Sequence, residues 1–130
     1  NDITNATRTG TAGTTFTADT LIAAYRQMIE IAHGHGVQVI GCTLTPYGGS
    51  NVYTEQGEAI RQAVNRWIRT GGAFDAVFDF DRATRDPQDP SRFRTEADSP
   101  DMLHPANPGY ALMAESIDLS VFRKLVGASR

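Results

Sequence analysis

The sequence predicts an α/β fold organised around a parallel sheet. Three observations point there. Apolar residues recur at helical spacing in three segments, two short apolar runs lie between those segments, and the order is therefore helix–strand–helix–strand–helix. Such alternation sets consecutive strands parallel, joined by right-handed crossovers through the helices. At 130 residues the chain has room for one hydrophobic core.

The first helix carries Leu21, Tyr25, Met28, Ile29 and Ala32 on one face, with Thr17 or Asp19 as its cap and Gly34 at its end. Val37 to Leu44 (VQVIGCTL) follows as a strand, apolar on both faces and closed by Thr45-Pro46. The second helix has the stripe Ile60, Ala63, Val64, Trp67 and Ile68, Thr54 as N-cap, and Gly71-Gly72 as its stop. Ala76 to Phe80 (AVFDF) reads as the second strand. Asp86 to Pro100 is polar and punctuated by proline, so it is expected to be loop. The third helix opens with Asn107 as N-cap and Pro108 at the first helical position, and Tyr110, Met113, Ala114 and Ile117 share its face.

Two parallel strands make an incomplete sheet, because each is buried on both faces and needs neighbours. The chain also starts at Asn1-Asp2-Ile3 with no strand or helix leading in. Both features create the expectation that a further segment precedes residue 1 and that one edge of the strand at 37–44 is open.

Composition narrows the function. A net charge of −3 with both signs scattered argues against nucleic acid or an anionic membrane as partner, and no apolar run is long enough to span a bilayer. Cys42 is the single cysteine, so no intrachain disulfide forms; its apolar surroundings favour a buried, inert thiol.

The histidines carry the remaining chemistry. His33 and His35 flank Gly34 at a helix C-terminus, on the edge of the sheet away from the usual ligand side, and read as surface residues. Two ligands around one glycine make a poor metal site, and neither a metal nor another cofactor is expected. His104 differs. Its loop returns to the carboxyl edge of the sheet, and Asp101 precedes it by three residues. One helical turn there brings the carboxylate to Nδ1 and leaves Nε2 as a base. The same spacing also suits an exposed pair that only stiffens a turn.

Asp101-Met-Leu-His104-Pro105, followed by Asn107-Pro-Gly109-Tyr110, resembles the last block of the SGNH (GDSL-type) hydrolases, D-x-x-H-P. Asn1-Asp2 is similar to that family's third block, G-x-N-D, and the intervening order of elements also fits. The phrases around Tyr25 and from Val37 to Pro46 resemble the branch that includes sugar-ester deacetylases. The resemblance covers the whole chain. It implies that residues 1–130 are the C-terminal portion of a single flavodoxin-like three-layer α/β/α sandwich, contributing the last two strands of a five-stranded parallel sheet and their flanking helices. It implies a serine-type carboxylic ester hydrolase in which His104 is the base, Asp101 orients it, and Asn1 donates to the oxyanion. Tyr47, on the loop leaving the first strand, is the candidate substrate contact. The implied partners are a small ester, including an acylated sugar, and the preceding segment of the same protein; the implied setting is a secreted bacterial protein.

The family's first block, G-D-S-[LY], holds the nucleophile, and nothing in the chain matches it. Ser50 lacks the strand-to-helix turn that exposes a nucleophile, and Ser99 stands only two residues from Asp101. The chain alone is therefore expected to be inactive. Two other readings stand beside the esterase: a non-catalytic α/β binding or scaffold module, and a serine-free hydrolase using Asp101 and His104 with a metal.

Overall fold

The computed structural model describes residues 1–8 and 16–128. Its elements run α1 (Asp2–Arg8), α2 (Ala18–Gly34), β1 (Ile40–Cys42), α3 (Glu55–Thr70), β2 (Ala76–Phe78), α4 (Phe80–Thr84), α5 (Asn107–Glu115) and α6 (Ser120–Ala128). β1 and β2 pair in parallel, Ile40 with Ala76 and Cys42 with Phe78. This is the α/β arrangement expected, with a parallel two-stranded sheet and flanking helices. Among the described residues no strand lies on the other edge of β1.

The caps read from the sequence set the longest helices. Thr17 closes a capping box with Thr20 at the start of α2. Thr54 accepts the Gly57 amide at the start of α3. Ile3, Leu21, Ile60, Val64 and Ile68 form the core cluster, so α1, α2 and α3 share one side of the sheet. Each such residue contributes roughly 1.5–3 kcal/mol by leaving water. Trp67 closes this side against Phe74, with ring centroids 5.4 Å apart. Gly41 lets that layer close, since a Cβ there would stand 2.6 Å from the Phe74 ring. On the opposite face Phe78 meets Phe122 of α6 at 6.0 Å.

Several boundaries differ from the sequence expectation. The strand expected over 37–44 is reduced to Ile40–Cys42. The Val37 amide is spent on the last turn of α2, bonding Ala32 O, and its side chain is 55% exposed. The second strand stops at Phe78, because the Asp79 side chain accepts from Arg82 N and starts α4 at Phe80. At α5 the N-cap is Ala106, with no side-chain cap bond, and Asn107 is already helical. This helix packs through Gly109, where a Cβ would lie 2.7 Å from Ala97 O, so Tyr110 faces out at 52% exposure. Met28 is likewise exposed; the buried line of α2 runs through Leu21 and Ile29. Cys42, expected inside, is exposed, because β1 alternates and it is Gly41 that turns into the core. The partial burial of the thiol still pushes its pKa up, which disfavours a reactive thiolate. Helix α1 begins at Asp2, where no helix was expected.

Candidate active site

The loop after α4 carries the candidate base. Its backbone is anchored by the Arg85–Phe93 bridge and by the buried residues Phe93 and Ala97, which hold it against α4 and α5. Ser99 to His104 then form a tight turn in which Met102 takes φ 53°, a left-handed conformation that non-glycine residues rarely adopt. The Asp101 carboxylate organises this turn. Its Oδ1 accepts from Ser99 Oγ at 2.7 Å, Leu103 N at 2.9 Å and His104 N at 3.0 Å, while Oδ2 accepts from His104 Nδ1 at 2.7 Å.

These four bonds fix both charge and tautomer. The His104 imidazole, then its amide and the Ser99 hydroxyl, hold the Asp101 carboxyl well below the usual carboxylate range. An ionised Asp101 needs a proton on Nδ1, so the lone pair of neutral His104 sits on Nε2. Among the described residues Nε2 makes no hydrogen bond, and the His104 side chain is 68% exposed. The arrangement presents an oriented base to an incoming O–H.

Asn1 and Tyr47 lie together on a cavity of about 180 Å³ that also receives Leu103, the residue before His104. Residues about a hundred positions apart in the sequence therefore meet at one place. The Asn1 carbonyl accepts from Thr4 and Asn5 in the first turn of α1. Tyr47 is 5% exposed, and burial pushes its hydroxyl pKa up. That hydroxyl makes no hydrogen bond of good geometry among the described residues.

No described serine donates to His104. Ser99 Oγ is spent on Asp101, and Ser50 Oγ is buried without a partner in the loop at 45–53. At the other edge of the sheet, His33 Nε2 lies 2.9 Å from Asp75 Oδ2, which also accepts the Val39 amide. His33 thus has a carboxylate partner that sequence proximity did not reveal. Among the described residues no group of three or more His, Cys, Asp or Glu could hold a metal ion, and no helix is long and apolar enough to cross a membrane.

A profile of the GDSL-like lipase/acylhydrolase family matches residues 1–112. The chain belongs to that family. A solved GDSL-like lipase from Bacteroides thetaiotaomicron has the same fold, with a TM-score of 0.67 at 16% sequence identity; the match covers 86% of this chain. It covers 56% of the Bacteroides chain, so the present chain spans little more than half that lipase's length. A comparison with curated proteins gives no match. The profile gives the family, and the solved lipase gives the fold.

Sequence reasoning missed the polar network beneath the candidate site. Arg61 is 1% exposed, yet all five of its N–H groups are bonded: to Glu58 twice, to Asp81, and to the carbonyls of Leu44 and Pro90. Asp81 is fully buried and also takes Arg69 and Arg85. Asn65, fully buried, bonds Leu44 through both its N–H and its carbonyl. Two adjacent amides, Tyr47 N and Gly48 N, donate to Ser91 O. The loops bearing Tyr47 and His104 are therefore fastened to each other and to α3. The signal was present in the sequence, as Arg61 and Asn65 fall on the inward stripe with Ile60, Val64 and Ile68. A polar residue at a core register reads as noise until its partners are known.

Proposed function

We propose that this chain is the base-bearing portion of a serine-type carboxylic ester hydrolase, and that a serine outside residues 1–130 is its nucleophile. The observation that carries the reading is the Asp101–His104 pair, joined at 2.7 Å with Nε2 unbonded and exposed. Membership of the GDSL-like family supports it, as does the edge of β1 that pairs with no strand among the described residues.

The reaction is two-step acyl transfer. The serine hydroxyl attacks the ester carbonyl while His104 Nε2 takes its proton, giving a tetrahedral oxyanion. The imidazolium then protonates the leaving alkoxide, leaving an acyl-enzyme that a water molecule hydrolyses by the same proton path. Asp101 remains ionised, orients His104 and balances its charge. The Asn1 side chain donates to the oxyanion, a contact typically worth about 3–4 kcal/mol in this chemistry. Tyr47 walls the substrate side. The substrate is a small ester, with an acylated sugar as the form suggested by the deacetylase-like phrases of the sequence.

A fluorophosphonate probe tests this on the intact protein. Labelling should fall on a serine outside residues 1–130 and vanish in His104→Ala. Labelling of any serine within residues 1–130 would overturn the assignment. The second reading is a non-catalytic module in which Asp101 and His104 only stiffen a turn; it is favoured by the lack of any described serine bonded to His104. Complete absence of labelling in the intact protein would decide for it.

A further inference from the structure

On the outer side of β2, away from the cavity that holds Asn1 and Tyr47, lies an open recess of about 480 Å³ lined by Val77, Asp79, Arg82, Ala83, Arg94 and Ser116. This volume falls in the range of small-molecule sites, roughly 300–1,000 Å³. Its charge is unbalanced. In the neighbouring network Arg61, Arg69 and Arg85 are matched by Glu58, Asp79 and Asp81. Asp79 is fully committed there: Oδ1 accepts from Thr43, Arg69 and Arg82 N, and Oδ2 from Arg69 Nε. Burial alone would raise its carboxyl pKa, but Arg69 and the other donors outweigh burial and hold it at about 2.

The two remaining arginines have weak or no compensation. Arg82 makes no side-chain ion pair among the described residues, and Arg94 has only Glu96, at 3.6 Å. The Arg94 Nε–H is buried and has no acceptor. A buried N–H on a permanently charged group is expensive to leave unmade, and the partner it calls for is an acceptor that carries negative charge. The Ser116 hydroxyl donates to Met113 O and does not fill the role.

We propose that this recess binds a small organic anion through a phosphate or carboxylate group held by Arg82 and Arg94. The site is independent of the esterase reading, since it shares no residue with the cavity that holds Asn1 and Tyr47.

Arginine side-chain resonances of the full-length protein test the site directly. Methyl phosphate and acetate are titrated separately at constant ionic strength, with Arg26, which stacks on Trp67, as an internal control. The Arg94 Nε–H signal should shift saturably with at least one anion while Arg26 stays still. A response to methyl phosphate alone assigns a phosphate ligand, one to acetate alone a carboxylate, and one to both the shared oxyanion chemistry. In Arg94→Gln, affinity read at Arg82 should fall about tenfold, the loss of one charge-assisted hydrogen bond. Arg82→Gln, at an exposed position and therefore safe for folding, should weaken binding read at Arg94. The proposal is overturned if neither anion moves Arg94, which leaves a recess holding water only, or if neither substitution changes the affinity.

Discussion

Replacing Asp101 by Asn tests the candidate site most sharply, because the turn dictates how the amide must sit. The Oδ1 corner faces three donors, two of them backbone amides that cannot reverse. The amide oxygen of Asp101→Asn must therefore occupy that corner, which turns its NH₂ toward His104 Nδ1. Two donors cannot face each other, so Nδ1 has to become the acceptor and the proton moves to Nε2. The lone pair that should take the serine proton is then gone. Loss of the working tautomer lowers kcat by about 10⁴ in Ser-His-Asp enzymes. Both side chains are largely exposed, so the thermal midpoint should move little while kcat falls steeply. In the intact protein the assay is turnover of p-nitrophenyl acetate. Histidine ¹⁵N shifts, recorded alongside, should show the proton moving from Nδ1 to Nε2. A variant keeping more than about a tenth of the parent kcat would refute the triad reading, because an oriented tautomer would then be irrelevant to the rate.

Asp81→Asn removes a fully buried carboxylate from a ring of three arginines and should lower stability by about 3–5 kcal/mol, read as a shift of the urea midpoint. A loss below about 1 kcal/mol would mean that the network is more solvated than its burial implies. Gly41→Val drives a branched side chain into the Phe74 ring and should cost about 1–3 kcal/mol, whereas valine at Gly34, where nothing lies within 4 Å, should not show that penalty. On acidification the Asp101 turn should persist. A carboxyl with a lowered folded pKa contributes its stabilisation above the unfolded value, 3.8, and loses it only as pH falls through the folded value. The carboxyl carbon shift of Asp101 should still report an ionised group at pH 3.8; half-protonation there would contradict the four-donor turn.

The fold class was legible because periodicity and caps are local. Thr17, Thr54 and the Ile60–Val64–Ile68 stripe act within a few residues of themselves, and they appear where the pattern puts them. The candidate pair was legible for the same reason: Asp101 and His104 are three residues apart in one turn. What could not be read depends on distant partners. Val37 and Phe80 look like strand residues, but the turn after α2 and the Asp79 cap claim their backbone. Cys42 looks buried until it is known that Gly41, and not Cys42, turns into the core. The pairing of His33 with Asp75, 42 residues away, leaves no trace in either local sequence.

Arg61 has a consequence for how chains of this family can diversify. One guanidinium reads two backbone carbonyls, at Leu44 and Pro90, from loops that are far apart in the chain. Neither loop can be exchanged by itself, since a new conformation at either carbonyl strands an N–H in the interior. The unit of exchange between relatives is therefore a cassette: the segment at 44–53, helix α3 and the loop at 85–106, moved together. Within that cassette the carbonyls at 44 and 90 act as fixed pegs, and side chains that touch neither peg, such as Tyr53 and Arg92, are where variation is cheapest.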